Sequence, residues 1–196
     1  FTVLDVGAPA SVNPDADVFE IEVPQDLRAP DVFGAVIDND IGFLNRAFRD
    51  GAGRTRFAAI WLQARERLGP DLIPGIARMT IGEALDGRAI DDLVRRFGRN
   101  ERQAYAAVNA TLHSRAEFRL PPPIAAHGSM VADLAFGNGA LDGQDVPLLA
   151  VQLPPEAARD TSGTTSESYI VQGVRWICYC ARKLDPDVPV VINLSY

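Results

Sequence analysis

The run Val32-Phe33-Gly34-Ala35-Val36-Ile37 carries no polar side chain, and it closes on Asp38-Asn39-Asp40. A strand with one wet face alternates apolar and polar residues. An unbroken apolar run instead fits a strand covered on both faces, the habit of parallel sheets lying between helix layers. Asp-Asn-Asp then reads as the turn that ends it. Phe57–Leu62, Val146–Leu153 and Val188–Leu194 read as further strands, the last with β-branched Val190, Val191 and Ile192. Residues 1–30, rich in Pro, Asp and Ala, read as an irregular arm or edge strand, with weak alternation at Phe19, Ile21 and Val23.

Between the strands the period changes. From 80 to 115 the pattern is helical: Thr80 with Glu83 resembles a capping box, and Ile90, Leu93, Val94 and Phe97 share one face. Gly98 stops that helix, and Asn100 with Gln103 opens another whose face holds Ala104, Ala107, Val108 and Thr111. Pro121-Pro122-Pro123 forces an extended approach to a helix that starts near His127 and buries Val131, Leu134 and Ala135. Residues 154–166 read as a polar loop. Ile170, Val174, Ile177, Cys178 and Ala181 mark an amphipathic helix. Strands alternating with helices imply an α/β fold of three layers, a mainly parallel sheet with helices on both faces.

A chain of 196 residues is one domain by size, and a mean hydropathy of -0.01 supplies a normal core. The net charge of -7 and pI of about 4.8 repel phosphate backbones, so neither nucleic acid nor an anionic membrane is an expected partner. No apolar run is long enough to span a bilayer. The chain starts at Phe1 without a methionine and stops at Tyr196 directly after a strand, which reads as a piece of something longer. Cys178 and Cys180, two apart on a helix, point in different directions, which excludes a disulfide framework within the chain and leaves the compartment open. As a C-x-C pair they lack further ligands nearby, so no metal is expected there.

Two residues stand where chemistry is usually placed. Ligands gather at the carboxyl ends of strands in open α/β sheets, and Asp38 sits at such an end. His127 opens a helix after an extended segment and can face the same rim. A carboxylate that holds an imidazole in one tautomer, and stabilises its charged form, makes that imidazole a useful general base.

The surrounding residues resemble the subtilisin-like serine peptidases. Val36-Ile37-Asp38 is similar to their aspartate motif. His127-Gly128-Ser129-Met130-Val131-Ala132 is similar to their histidine motif, His-Gly-Thr-x-Val-Ala. Leu149-Ala150-Val151-Gln152 resembles the following strand, Tyr169 to Ile177 the next helix, and Val191-Ile192-Asn193-Leu194-Ser195 the strand after it. The resemblance covers about 31–45 and 121–196. It implies that residues 31–196 form the amino-terminal part of such a catalytic domain, with a helical insertion at about 50–116. It implies that Asp38 is the orienting acid and His127 the general base. Gly163, Thr164 and Thr165 match the family's edge strand that pairs with substrate backbone, and Leu194 and Ser195 match the start of a second one. The implied partners are a peptide or protein substrate and the remainder of the catalytic domain, which carries the serine. No cofactor is implied; calcium sites occur in the family, but no ligand set for one stands out here.

The chain departs from the pattern in several places. Asn39 and Asp40 follow the aspartate where the family prefers Ser or Thr and then Gly. Asp40 adds a charge that can raise the pKa of a neighbouring carboxyl or bind a cation. Ser129 replaces Thr, and Asp133 replaces a Gly. The interval from Asp38 to His127 is long. The oxyanion-hole Asn and the nucleophilic Ser are absent. Ser166, in Gly163-Thr164-Thr165-Ser166, reads as a cap or loop residue, and His113 as a structural residue on a helix. Two other classes compete: a non-catalytic module of the same fold that binds peptides or a protein, and a magnesium-dependent phosphatase of the haloacid-dehalogenase type, suggested by Asp38-x-Asp40. The latter lacks a suitable Lys and leaves His127 unexplained.

Overall fold

The computed structural model describes residues 30–63, 65–67, 76–78, 81–98, 100–114, 126–140, 145–158, 160 and 162–195. Apart from Pro30 the expected arm lies outside these residues, as do the alternating segment at 19–23 and the triple proline.

The chain enters through β1 (Phe33–Asp38) and passes a short 3-10 turn at Arg46–Phe48. It continues into β2 (Phe57–Leu62), β3 (Arg65–Arg67), β4 (Ile76–Arg78) and β5 (Glu83–Asp86). Helices α1 (Gly87–Phe97) and α2 (Glu101–Thr111) follow, then β6 (Leu112–Ser114) and α3 (His127–Phe136). The chain ends through β7 (Leu148–Gln152), α4 (Pro155–Ala158), α5 (Thr164–Leu184) and β8 (Val190–Leu194). Among the described residues six strands form one sheet in the order β4-β5-β2-β7-β1-β8. β2, β7, β1 and β8 run parallel, whereas β5 is antiparallel to β2 and β4 to β5. β3 and β6 pair separately.

The mainly parallel three-layer α/β architecture expected from the apolar runs is present. β1, β2 and β7 are buried along their whole length because helices cover both faces. Alternation sorts the side chains between two cores. Val36, Ile60, Leu62, Leu148 and Ala150 face α1, α2 and α3, joining Ile90, Leu93, Tyr105, Val108 and Phe136. Phe33, Ala35, Ile37, Trp61, Leu149 and Val151 face α5, meeting Trp176, Ile177, Cys180 and Ala181. Each fully buried large aliphatic or aromatic side chain contributes about 1.5–3 kcal/mol relative to exposure. Asp38 continues the parity of Val36, so its side chain emerges on the α3 face at the carboxyl end of β1.

Among the described residues, the span expected as a helical insertion, about 50–116, is helical only from Gly87. Its first part builds β2 inside the main sheet and the antiparallel β4–β5 edge. The capping box expected at Thr80 and Glu83 is not the helix start: Glu83 lies in β5, and Asp86 caps α1 by accepting from the Ala89 N–H at 2.7 Å. Gly98 does end α1, its N–H on the Val94 carbonyl, and Asn100 caps the next helix through the Gln103 N–H. His113, expected on a helix, lies in β6 opposite Glu66. The loop expected at 154–166 contains α4 and the first turn of α5. No helix among the described residues is long and apolar enough to cross a membrane.

Arg56 fastens the layers together. Its guanidinium is buried and donates to the carbonyls of Val146, Ala47 and Phe136. A rigid fork of five donors is suited to collecting carbonyls from three separate segments, which an ammonium is not.

Candidate functional site

Asp38 ends β1 with its carbonyl and one carboxylate oxygen engaged. Its carbonyl accepts from the Leu153 N–H at 2.9 Å, and its carboxylate Oδ1 accepts from the Asn39 N–H at 2.7 Å. His127 is the first residue of α3 and lies 89 positions away. Its Nδ1 stands 3.1 Å from the same Oδ1. An ionised carboxylate can only accept, so Nδ1 is the donor in this pair, and in the neutral ring Nε2 is left with its lone pair. Asp38 is 1% exposed while the His127 side chain is 55% exposed, so the free ring edge faces outward from a buried acid.

Gly128 makes this approach possible. A Cβ there would overlap the Asn39 carbonyl oxygen and stand 3.0 Å from the Asp38 Cβ. The His-Gly pair is thus a single device: the ring reaches the acid only because the next residue lets the helix touch the strand's exit loop. The buried face of α3 is Gly128, Ala132 and Phe136. Leu134, expected inside, is 81% exposed, and Val131 and Ala135 are partly buried. The helix is turned by its need to bring residue 128 onto Asn39.

Burial raises the Asp38 carboxyl above its ordinary value. The His127 hydrogen bond, the Asn39 N–H and the His127 charge pull it back, and Asp40 pushes it further up. The second Asp therefore acts on the first in the expected direction, as the smallest of these causes. Asp40 has φ 50°, in the left-handed region that Asp tolerates better than most residues. Asp38 Oδ2 is buried without a hydrogen bond. No group of three or more His, Cys, Asp or Glu side chains among the described residues is placed to hold a metal ion.

The chain shares its fold with the CspB protease of Clostridium perfringens. The superposition has a TM-score of 0.52 at 16% sequence identity and covers 86% of this chain. It covers 30% of the protease's chain, so this chain spans under a third of that protein's length. No protein-family model matches the sequence, and no curated protein matches it.

The other residues singled out by resemblance fall in different settings. Leu194 closes β8 opposite Ile37, and Ser195 follows it at the same rim as Asp38. Gly163, Thr164 and Thr165 do not form an edge strand. Gly163 (φ 80°) caps α5, and Thr164 and Thr165 are its first residues. The cause is local: Asp160 Oδ2 accepts from the Ser166 N–H at 3.2 Å, and the Gly163 carbonyl accepts from the Glu167 N–H, which pulls this segment into the helix. Ser166 is buried, and its hydroxyl donates to the Gly163 carbonyl at 3.1 Å.

Three residues to which sequence reasoning assigned no functional role surround the exit loop of β1. Gln152 Oε1 accepts from the Ile41 N–H at 3.3 Å, Ser129 Oγ accepts from Gly42 at 2.7 Å, and the Tyr105 hydroxyl accepts from Leu44 at 3.1 Å. Tyr105 carried a signal, being a large aromatic beside the apolar face of α2, but nothing local says that its hydroxyl reaches a loop 61 residues away.

Proposed function

We propose that this chain supplies the acid and base of a subtilisin-like serine endopeptidase, with the nucleophilic serine borne by polypeptide outside these 196 residues. The observation that carries this reading is the Nδ1–Oδ1 bond between a half-exposed imidazole and a buried carboxylate at the carboxyl rim of a parallel sheet. The shared fold with a protease supports it.

In this reading Asp38 fixes the His127 tautomer, and Nε2 takes the serine proton as the hydroxyl oxygen attacks a peptide carbonyl. The same proton then passes to the amine as the C–N bond breaks. Water, deprotonated by Nε2, releases the acyl group and restores the serine. Leu194 and Ser195 pair with substrate backbone, the β-augmentation that lets such enzymes accept many sequences. Ser129 is not the nucleophile: its hydroxyl donates to the Asp40 carbonyl at 2.8 Å.

The decisive experiment follows the native polypeptide beyond Tyr196. Extended protein should hydrolyse an unfolded protein substrate, label with a serine-directed phosphonate, and lose both with His127→Ala, while the 196-residue chain hydrolyses nothing. Cleavage by the isolated chain that survives His127→Ala would sink the assignment.

A second reading, a non-catalytic peptide-binding module, is favoured by β8. Its outer edge pairs with no described strand, and Val191 and Leu194 are 57% and 50% exposed. Such an edge accepts an extended peptide. An extended protein that binds unfolded peptide without cleaving or labelling supports this reading over the first.

A further inference from the structure

Two struts of equal sequence span join the exit of β1 to α3. One is the Asp38–His127 bond. The other lies two residues further along both segments: Ser129 Oγ donates to the Asp40 carbonyl at 2.8 Å and accepts from the Gly42 N–H at 2.7 Å. The hydroxyl closes a small ring with the backbone of 40–42 and holds Asp40 in its left-handed conformation. Gly42 gives the room, since a Cβ there would meet Ser129 Oγ at 2.8 Å. Further on, the Leu44 N–H donates to Tyr105, and Tyr105 also packs edge-on against Phe43 with ring centroids 5.6 Å apart. Tyr105 is buried on α2, in the part of the chain that the family resemblance does not cover. The Ile41 N–H donates to Gln152, the β7 residue in register with Asp38. Residues 41–44 thus give three backbone donors to side chains from β7, α3 and α2. A loop gripped in this way has one conformation, and the carboxylate at its root inherits that precision.

We infer that Ser129 and Tyr105 are positioning residues for the Asp38–His127 pair, acting through the backbone of residues 40–44. Neither touches the imidazole. Ser129 ties the loop to the helix that carries the ring, and Tyr105 ties the same loop to α2, so that helix becomes part of the machinery that sets the acid–base geometry. The inference rests on the pairing described under the proposed function and deepens it.

The test reads the His127 tautomer by ring nitrogen NMR on the 196-residue chain labelled in histidine. Signals are assigned by comparison with His127→Gln, and folding is checked by circular dichroism. In the unaltered chain the neutral ring should be protonated at Nδ1. Ser129→Ala and Tyr105→Phe should each lose that single-tautomer signature while remaining folded, and Ser129→Thr, which restores a hydroxyl, should keep it. A merely structural role would lower the unfolding temperature and leave the tautomer alone. If Ser129→Ala does not fold, Tyr105→Phe decides alone, because it keeps the ring and removes one oxygen. Folded variants with the original tautomer overturn the inference, as does loss of the tautomer in Ser129→Thr. An unaltered chain protonated at Nε2 instead overturns the pairing itself and so identifies which of the two ideas has failed.

Discussion

Gly128 presses its α-carbon onto the carbonyl of Asn39, in a space that a single methyl group would overfill. The obstacle is backbone on both sides, so neither partner can swing away as a flexible side chain would. Gly128→Ala is expected to push the start of α3 off the β1 exit and break the His127–Asp38 bond. The stability cost is about 1–3 kcal/mol, the usual range for overfilling a packed contact. Thermal unfolding measures the loss, and the His127 ring signals report the broken pair. An alanine variant with unchanged stability and ring signals would mean that the helix has room to shift.

Asp38 and His127 were legible as a pair because each is announced by its own neighbours. An apolar strand closing on Asp38 and a His-Gly at a helix start are local patterns. What lay hidden is non-local. Nothing near Ser129, Gln152 or Tyr105 states that their polar atoms converge on residues 41–44. The buried face of α3 was misread at Leu134 because amphipathic counting assumes that the helix presents its most apolar stripe. Here contact at Gly128 sets the rotation. Gly163-Thr164-Thr165 matches an edge strand through the family resemblance alone, yet Asp160 draws the segment into helix. β5 looked helical because Glu83 stands three residues after Thr80, and only pairing with β2 shows that it is a strand.

Arg56 carries a separate prediction. Its guanidinium is buried and serves three carbonyls, and burial pushes its pKa down against the pull of Asp145. Hydrogen bonds to a charged group are worth more than neutral ones, and removing the donor strands the buried acceptors. Arg56→Met should cost about 3 kcal/mol in a denaturant titration. Arg56→Lys should recover little of it, since one ammonium cannot span the fork. Full rescue by lysine would show that charge, rather than geometry, is what the site requires.

The two cysteines should differ in reactivity. Cys180 lies on the face of α5 buried against the sheet, and burial pushes its thiol up, which suppresses the reactive thiolate; Cys178 is partly exposed. Alkylation of the native chain near pH 8, followed by mass spectrometry, should modify Cys178 first and Cys180 only on unfolding. Equal rates would mean that α5 lifts from the sheet on the timescale of labelling.

Asp38 should trade stability for chemistry. Burial raises its carboxyl above the ordinary value of 3.8, despite the opposing His127 and Asn39 hydrogen bonds. A folded value above the unfolded one means that the folded chain keeps the proton to higher pH. The stability tied to this group is therefore full below the unfolded value and lost as pH rises through the folded one. Asp38→Asn, which has nothing to ionise, should be more stable than the unaltered chain at neutral pH, with the gap closing as pH falls from the raised folded value towards 3.8 and closed below it. Urea titrations across a pH series measure this. Under the proposed function, the same substitution in the extended protein should cost about 10⁴-fold in turnover, because an amide no longer dictates the tautomer that leaves Nε2 free. A gap of the opposite sign, growing with pH, would mean that the attraction between Asp38 and His127 exceeds the cost of burying the carboxylate. The pair would then help to hold the fold together.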